Sequence, residues 1–103
     1  MPAPRIAEKD LLTADEMALF TLSQDAAALA QRTPAQLRDK IARARNLRDR
    51  ARDVYRRQVG RTRAVTSTKR GFSGMANERS KQKGDVLNAA VERLTEARDK
   101  QIA

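Results

Sequence analysis

Between Pro34 and Gly60 the chain runs for 25 residues without proline or glycine, and its apolar side chains recur at helical spacing. No other segment limits the fold so tightly. Thr33-Pro34-Ala35-Gln36 supplies a start. Threonine takes the N-cap, proline the first helical position, where its missing N–H costs nothing, and glutamine closes a capping box. Gly60 stands where a left-handed C-terminal cap is wanted. The pattern predicts a helix over about 34–59, roughly 37 Å long at 1.5 Å per residue. Asp39 with Arg43, Asp49 with Arg45 and Arg52, and Asp53 with Arg57 are spaced to support it. Each such pair contributes about 0.2–0.5 kcal/mol, less in salt.

Inside that segment lies a seven-residue repeat, Arg-Ala-Arg-Asn-Leu-Arg-Asp at 43–49 and Arg-Ala-Arg-Asp-Val-Tyr-Arg at 50–56. With about 100° per residue and Leu37 at the origin, Leu37, Ile41, Ala44, Leu47, Ala51, Val54, Tyr55 and Val59 span about 140°, the width of one buried face. Arginines bracket it. Arg38, Arg45, Arg52 and Arg56 line one flank, Arg43, Arg50 and Arg57 the other. The outermost stripe carries Asp39, Asn46, Asp49 and Asp53.

The flanking segments are also helical in pattern. Thr13-Ala14-Asp15-Glu16 is a second capping box and predicts a short helix through about Phe20. Thr21 or Ser23 is expected to start another short piece reaching Leu29 and Gln31. Residues 60–76 are rich in Gly, Ser and Thr and basic, and read as a loop. A last helix is expected over about 77–101, with Leu87, Val91 and Leu94 on one face and Gly84-Asp85 weakening its first turns. Period-two alternation is absent, so no strand is expected. The reading is a single small all-α domain over 1–103. Its long basic helix and C-terminal helix form an antiparallel hairpin, with one or two short N-terminal helices packed on it. Met17, Leu19, Phe20, Leu22 and Leu29 are the expected cover for the long helix. Aromatic residues are only 3% of the chain, so the core is thin, and pairing with a second copy is a way to bury more surface.

Composition narrows the chemistry. With no Cys and no His, disulfides, thiolate or imidazole metal sites and histidine acid–base catalysis are excluded. Acidic residues sit at helix starts or beside arginines rather than in a cluster, so no catalytic residue, metal site or cofactor is assigned and the chain is not read as an enzyme. No apolar run approaches the roughly 20 residues a spanning helix needs, and no export signal is evident, which predicts a cytoplasmic protein without a membrane partner.

Charge is what remains. The 22 Lys and Arg exceed the 13 Asp and Glu to give +9. Residues 33–70 hold thirteen of the basic side chains and three acidic ones, a local net of +10, and eleven of the thirteen are arginine. Forked guanidinium donors suit phosphate and carboxylate. Within the loop, Gly71-Phe72-Ser73-Gly74 has the letters of a KH loop without the strands a KH fold needs, and the Walker order is missing. Lys69 and Arg70 instead extend the basic surface. The expected function is a small accessory protein that binds nucleic acid through its phosphates with little base readout. Arg38, Arg43, Arg45, Arg50, Arg52, Arg57, Arg61, Arg63, Lys69 and Arg70 are the candidate contacts. The rival is a protein-interaction module whose arginine-bracketed helix meets an acidic protein partner or a second copy of itself. The acidic outer stripe favours this rival.

Overall fold

The computed structural model describes the backbone of residues 5–65 and 70–102, and the side chains of 5–61 and 77–102. Among the described residues five helices appear in order: α1 (Glu8–Leu11), α2 (Ala14–Gln24), α3 (Ala26–Ala30), α4 (Pro34–Val65) and α5 (Arg70–Ile102). No strand occurs among the described residues. Helices α4 and α5 lie antiparallel as a hairpin, and α1 to α3 pack across it. The contacts run in opposite chain directions. Arg48 reaches Asn88 and Ser80 reaches Gln58 across the pair.

Both capping boxes form. The Thr13 N–H donates to Glu16 (2.8 Å) while the Glu16 N–H donates to the Thr13 hydroxyl (3.3 Å). Thr33 and Gln36 repeat the exchange at 3.0 and 3.1 Å. Each satisfies two backbone donors that a helix start would otherwise leave open.

The N-terminal part holds three short helices rather than one or two. Helix α2 passes the expected stop at Phe20 and ends at Gln24, and the next piece starts neither at Thr21 nor at Ser23. Asp25 separates the two: its carboxylate accepts from the Ala28 N–H at 3.1 Å and caps α3. Ser23 cannot serve as that cap, because its buried hydroxyl donates back to the Phe20 carbonyl at 2.6 Å.

The loop expected over 60–76 is corrected at both ends. Residues 60–65 continue α4, residues 70–76 belong to α5, and only 66–69 lie outside the described residues. Gly60 has no left-handed φ. A glycine permits a C-terminal cap but does not impose one, and a helix already docked on a long partner continues past a poor helix former.

Two apolar clusters stack along the hairpin. Leu19, Leu29, Leu37, Ile41, Ala44, Val91 and Leu94 form one, and Leu11, Leu12, Phe20, Ala51 and Leu87 the other, with Leu47 touching both. Leu37, Leu87 and Leu94 are completely buried, and burial of such a side chain stabilises by about 1.5–3 kcal/mol. On α4 the clusters end at Ala51 among the described residues, while the helix runs on for nearly four more turns. The molecule measures 53 × 22 × 21 Å, its long axis set by the hairpin.

The buried line of α4 differs slightly from the expected face. Leu37, Ile41, Ala44 and Ala51 are buried, but Val54 is 41% exposed. Arg48 occupies the gap between Ala44 and Ala51. Its stem lies in the seam, and its head donates to Asn88 and to Asp49, both at 3.1 Å. A long aliphatic stem with a polar tip fits such an edge position.

Candidate nucleic-acid interface

The seam of α4 faces α5, and the N-terminal helices cover one flank of the hairpin. What is left is the outer half of α4, and both arginine rows stand on it. Arg38, Arg45, Arg52 and Arg56 are exposed on one side, Arg43, Arg50, Arg57 and Arg61 on the other. The structure thus brings seven of the ten sequence candidates onto one continuous surface. The side chains of Arg63, Lys69 and Arg70 lie outside the described residues.

Whether those guanidinium groups are neutralised decides what the surface can do. The carboxylates of the N-terminal segment are mostly engaged elsewhere. Glu8 pairs with Arg5 at 2.9 Å, Glu16 with Lys83 at 2.9 Å, and Asp25 caps α3. Only Asp15 reaches a row, meeting Arg43 at 3.2 Å with both side chains more than half exposed. Four of the five acids of α5 are used within α5. Glu96 pairs with Lys100, Asp99 with Arg98, and Glu92 and Glu78 accept from Asn88 and Gln82. Within α4, Asp53 pairs with Arg57 at 2.7 Å, as its spacing suggests. Asp49 meets Arg48 rather than Arg45 or Arg52, and Asp39 does not pair with Arg43.

Among the described residues, Arg38, Arg45, Arg50, Arg52, Arg56 and Arg61 form no ion pair. Exposed pairs such as Arg43–Asp15 are worth about 0–1 kcal/mol and yield readily to a stronger anion. The surface therefore keeps a dense field of positive charge with planar, bidentate donors.

A shallow polar depression on the outer surface is lined by Asn46, Asp49, Arg50, Arg52, Asp53 and Arg56. Arg56 belongs to this surface though it is not among the ten candidates. Its position on the Arg38–Arg45–Arg52 flank was the available signal. A second, more apolar cleft of about 340 Å³ lies at the other end, between α3 and α5, where Ala26, Leu29, Ala30 and Ala97 meet Arg93 and Lys100. Arg93 stacks over Phe20 at 5.8 Å from the ring centroid.

No group of three or more acidic or other metal-ligating side chains gathers among the described residues. None of the helices there is long and apolar enough to cross a membrane. Comparison of the chain with protein-family models, curated proteins and solved structures gives no match.

Proposed function

We propose that the protein binds nucleic acid through the phosphate backbone, using the exposed arginine rows of α4. One observation carries the reading: among the described residues, six guanidinium groups on one helix surface have no carboxylate partner, although the chain holds 13 acidic residues. Folding has placed most of those acids at caps, in the Glu16–Lys83 contact and along α5; of the three on α4, Asp53 pairs with Arg57 and Asp49 with Arg48. Phosphates spaced regularly along a strand suit two parallel lines of arginine, and neutralising them releases condensed counterions. Most of the affinity is then independent of sequence.

The test is a salt titration of fluorescence anisotropy with a labelled random duplex. With about five phosphates neutralised, log K falls against log salt with a slope near −4 to −5. Reversing Arg50, Arg52 and Arg56 to Glu abolishes binding with helix content unchanged. Affinity that persists in this variant, or saturable binding to one acidic protein with none to duplex at about 0.15 M salt, overturns the reading.

A further inference from the structure

A phosphate ridge alone leaves one feature unexplained. The outermost stripe of α4, the part that projects farthest from the hairpin, carries Asp39, Asn46, Asp49 and Asp53, all exposed. A flat approach to a backbone would set carboxylates against phosphates. The charge pattern of the helix is instead lateral, with arginines on both sides and acids and an amide between them.

We infer that α4 enters the major groove of a B-form DNA duplex, a step that rests on the phosphate-binding reading above. The dimensions agree. An α-helix with its side chains is about 10–12 Å across, and the major groove is about 12 Å wide. Seated there, the flanks of the helix meet the groove walls, where the phosphates are, and the outer stripe meets the floor. Arg50 on one flank and Arg52 and Arg56 on the other then address opposite strands. The stripe between them faces base edges rather than phosphates, which removes the conflict of charge.

The residue types on the stripe suit that floor. A carboxylate accepts from the cytosine amino group, and asparagine pairs bidentately with adenine. The Asn46 side chain makes no hydrogen bond among the described residues, so its amide is available. From Asn46 to Asp53 the helix rises about 10.5 Å, close to three base steps of about 3.4 Å. The approach is also open. Helix α5 lies behind the seam, and α2 reaches only as far as the Asp15–Arg43 contact at the edge of one flank.

This placement names its substrate. The major groove of A-form RNA is deep and narrow and closed to side chains, so the protein discriminates between duplexes of one sequence. It also gives Asn46, Asp49 and Asp53 a modest base preference on top of the backbone affinity.

The experiment measures anisotropy of the full chain on a DNA duplex, an RNA duplex of the same sequence and length, and the DNA single strand, all at about 0.15 M salt. Expected is at least tenfold tighter binding to the DNA duplex than to the RNA duplex. Equal affinity for the two duplexes overturns groove insertion while leaving the phosphate reading intact; no binding to any of the three overturns both. A second arm replaces Asp49 and Asp53 with Ala. A ridge that touches only phosphates gains affinity on every sequence when two negative charges leave. Insertion predicts a narrower difference between duplexes enriched from a randomised pool and random ones, and enrichment that is absent in the parent protein counts against it. Asn46→Ala repeats this arm without changing charge.

Discussion

Lys83 Nζ lies 2.9 Å from Glu16 Oε1, and that contact fastens α2 to α5 in a nearly dry setting, with Glu16 only 6% exposed and Lys83 25%. The same carboxylate oxygen accepts from the Thr13 N–H at 2.8 Å, so one atom both caps α2 and anchors it. Removing one partner of such a pair leaves the other uncompensated. Lys83→Met, which keeps the stem and deletes the charge, is expected to destabilise by about 1–3 kcal/mol. Glu16→Gln costs less, because the amide oxygen still accepts from Thr13 and Lys83 reaches water. Urea unfolding measures both, and the double variant is expected to lose less than the sum of the two. Equal, additive losses would show that the two charges do not depend on each other.

Gly84 of α5 is buried against α4. A Cβ placed on it would sit 3.4 Å from Arg52 Cγ and 4.0 Å from Ala51 Cβ. Alanine therefore fits with little movement, and its better helix propensity makes Gly84→Ala neutral or stabilising by up to about 1 kcal/mol. Leucine has no room and is expected to cost about 1–3 kcal/mol by forcing the helices apart. Thermal melts of the two variants separate the effects. A Gly84→Leu protein as stable as the parent would mean that close approach here does not hold the pair in register.

Arginines on the two flanks are not equivalent. Arg57 carries Asp53 at 2.7 Å and Arg43 carries Asp15 at 3.2 Å, whereas Arg50 has no ion-pair partner among the described residues. A paired guanidinium must release its carboxylate, or share it, before it meets a phosphate. Arg50→Ala is thus expected to weaken duplex binding more than Arg57→Ala and to reduce the salt slope by about one. Asp53→Asn, which frees Arg57, is expected to raise affinity for random duplex. The reverse order in a salt titration would count against backbone contact by this surface.

These pairings mark where the sequence stops being informative. Thr13–Glu16 and Thr33–Gln36 are legible because a capping box is chemistry between residues three apart. The exposed arginine rows are legible because any helix over that segment must present them. Arg48 is not. Counting apolar positions passes over an arginine, and only Asn88, forty residues away, shows where its head goes. The Asp15–Arg43 contact is hidden for the same reason. The positions of α2 and α3 on the hairpin are set by Leu19 and Phe20 of the one and Leu29 of the other finding room in two separate clusters, and no local pattern encodes that.

Glu8 offers a small pH-dependent term. Its own backbone N–H holds the carboxyl below its usual range, opposed by partial desolvation and aided by the hydrogen bond and charge of Arg5. A carboxylate depressed in the folded state contributes stability above its unfolded pKa and loses it as pH falls through the folded one. The group is solvent-accessible, so the contribution is minor and screened by salt. Arg5→Ala is expected to move the Glu8 side-chain NMR titration upward only in part, since the backbone hydrogen bond remains. A return to the ordinary glutamate range would assign the whole shift to Arg5.

Gly60 separates two geometries that the sequence does not distinguish. As a C-terminal cap in the left-handed region, it would resist replacement, since a Cβ there is strained and alanine destabilises. In the structure it lies within α4, without positive φ, and a Cβ built on it meets nothing within 4 Å. Substitution then removes a flexible residue from an exposed helix interior at no steric cost. Gly60→Ala is expected to stabilise by about 0.5–1 kcal/mol and to raise helix content slightly. The sign alone decides. Stabilisation, read from the urea midpoint at constant slope, supports a helix that continues through Gly60 toward Val65 and carries Arg61 as part of the same basic surface. Destabilisation would return the segment to a cap and a loop, and would take Arg61 out of register with Arg43, Arg50 and Arg57.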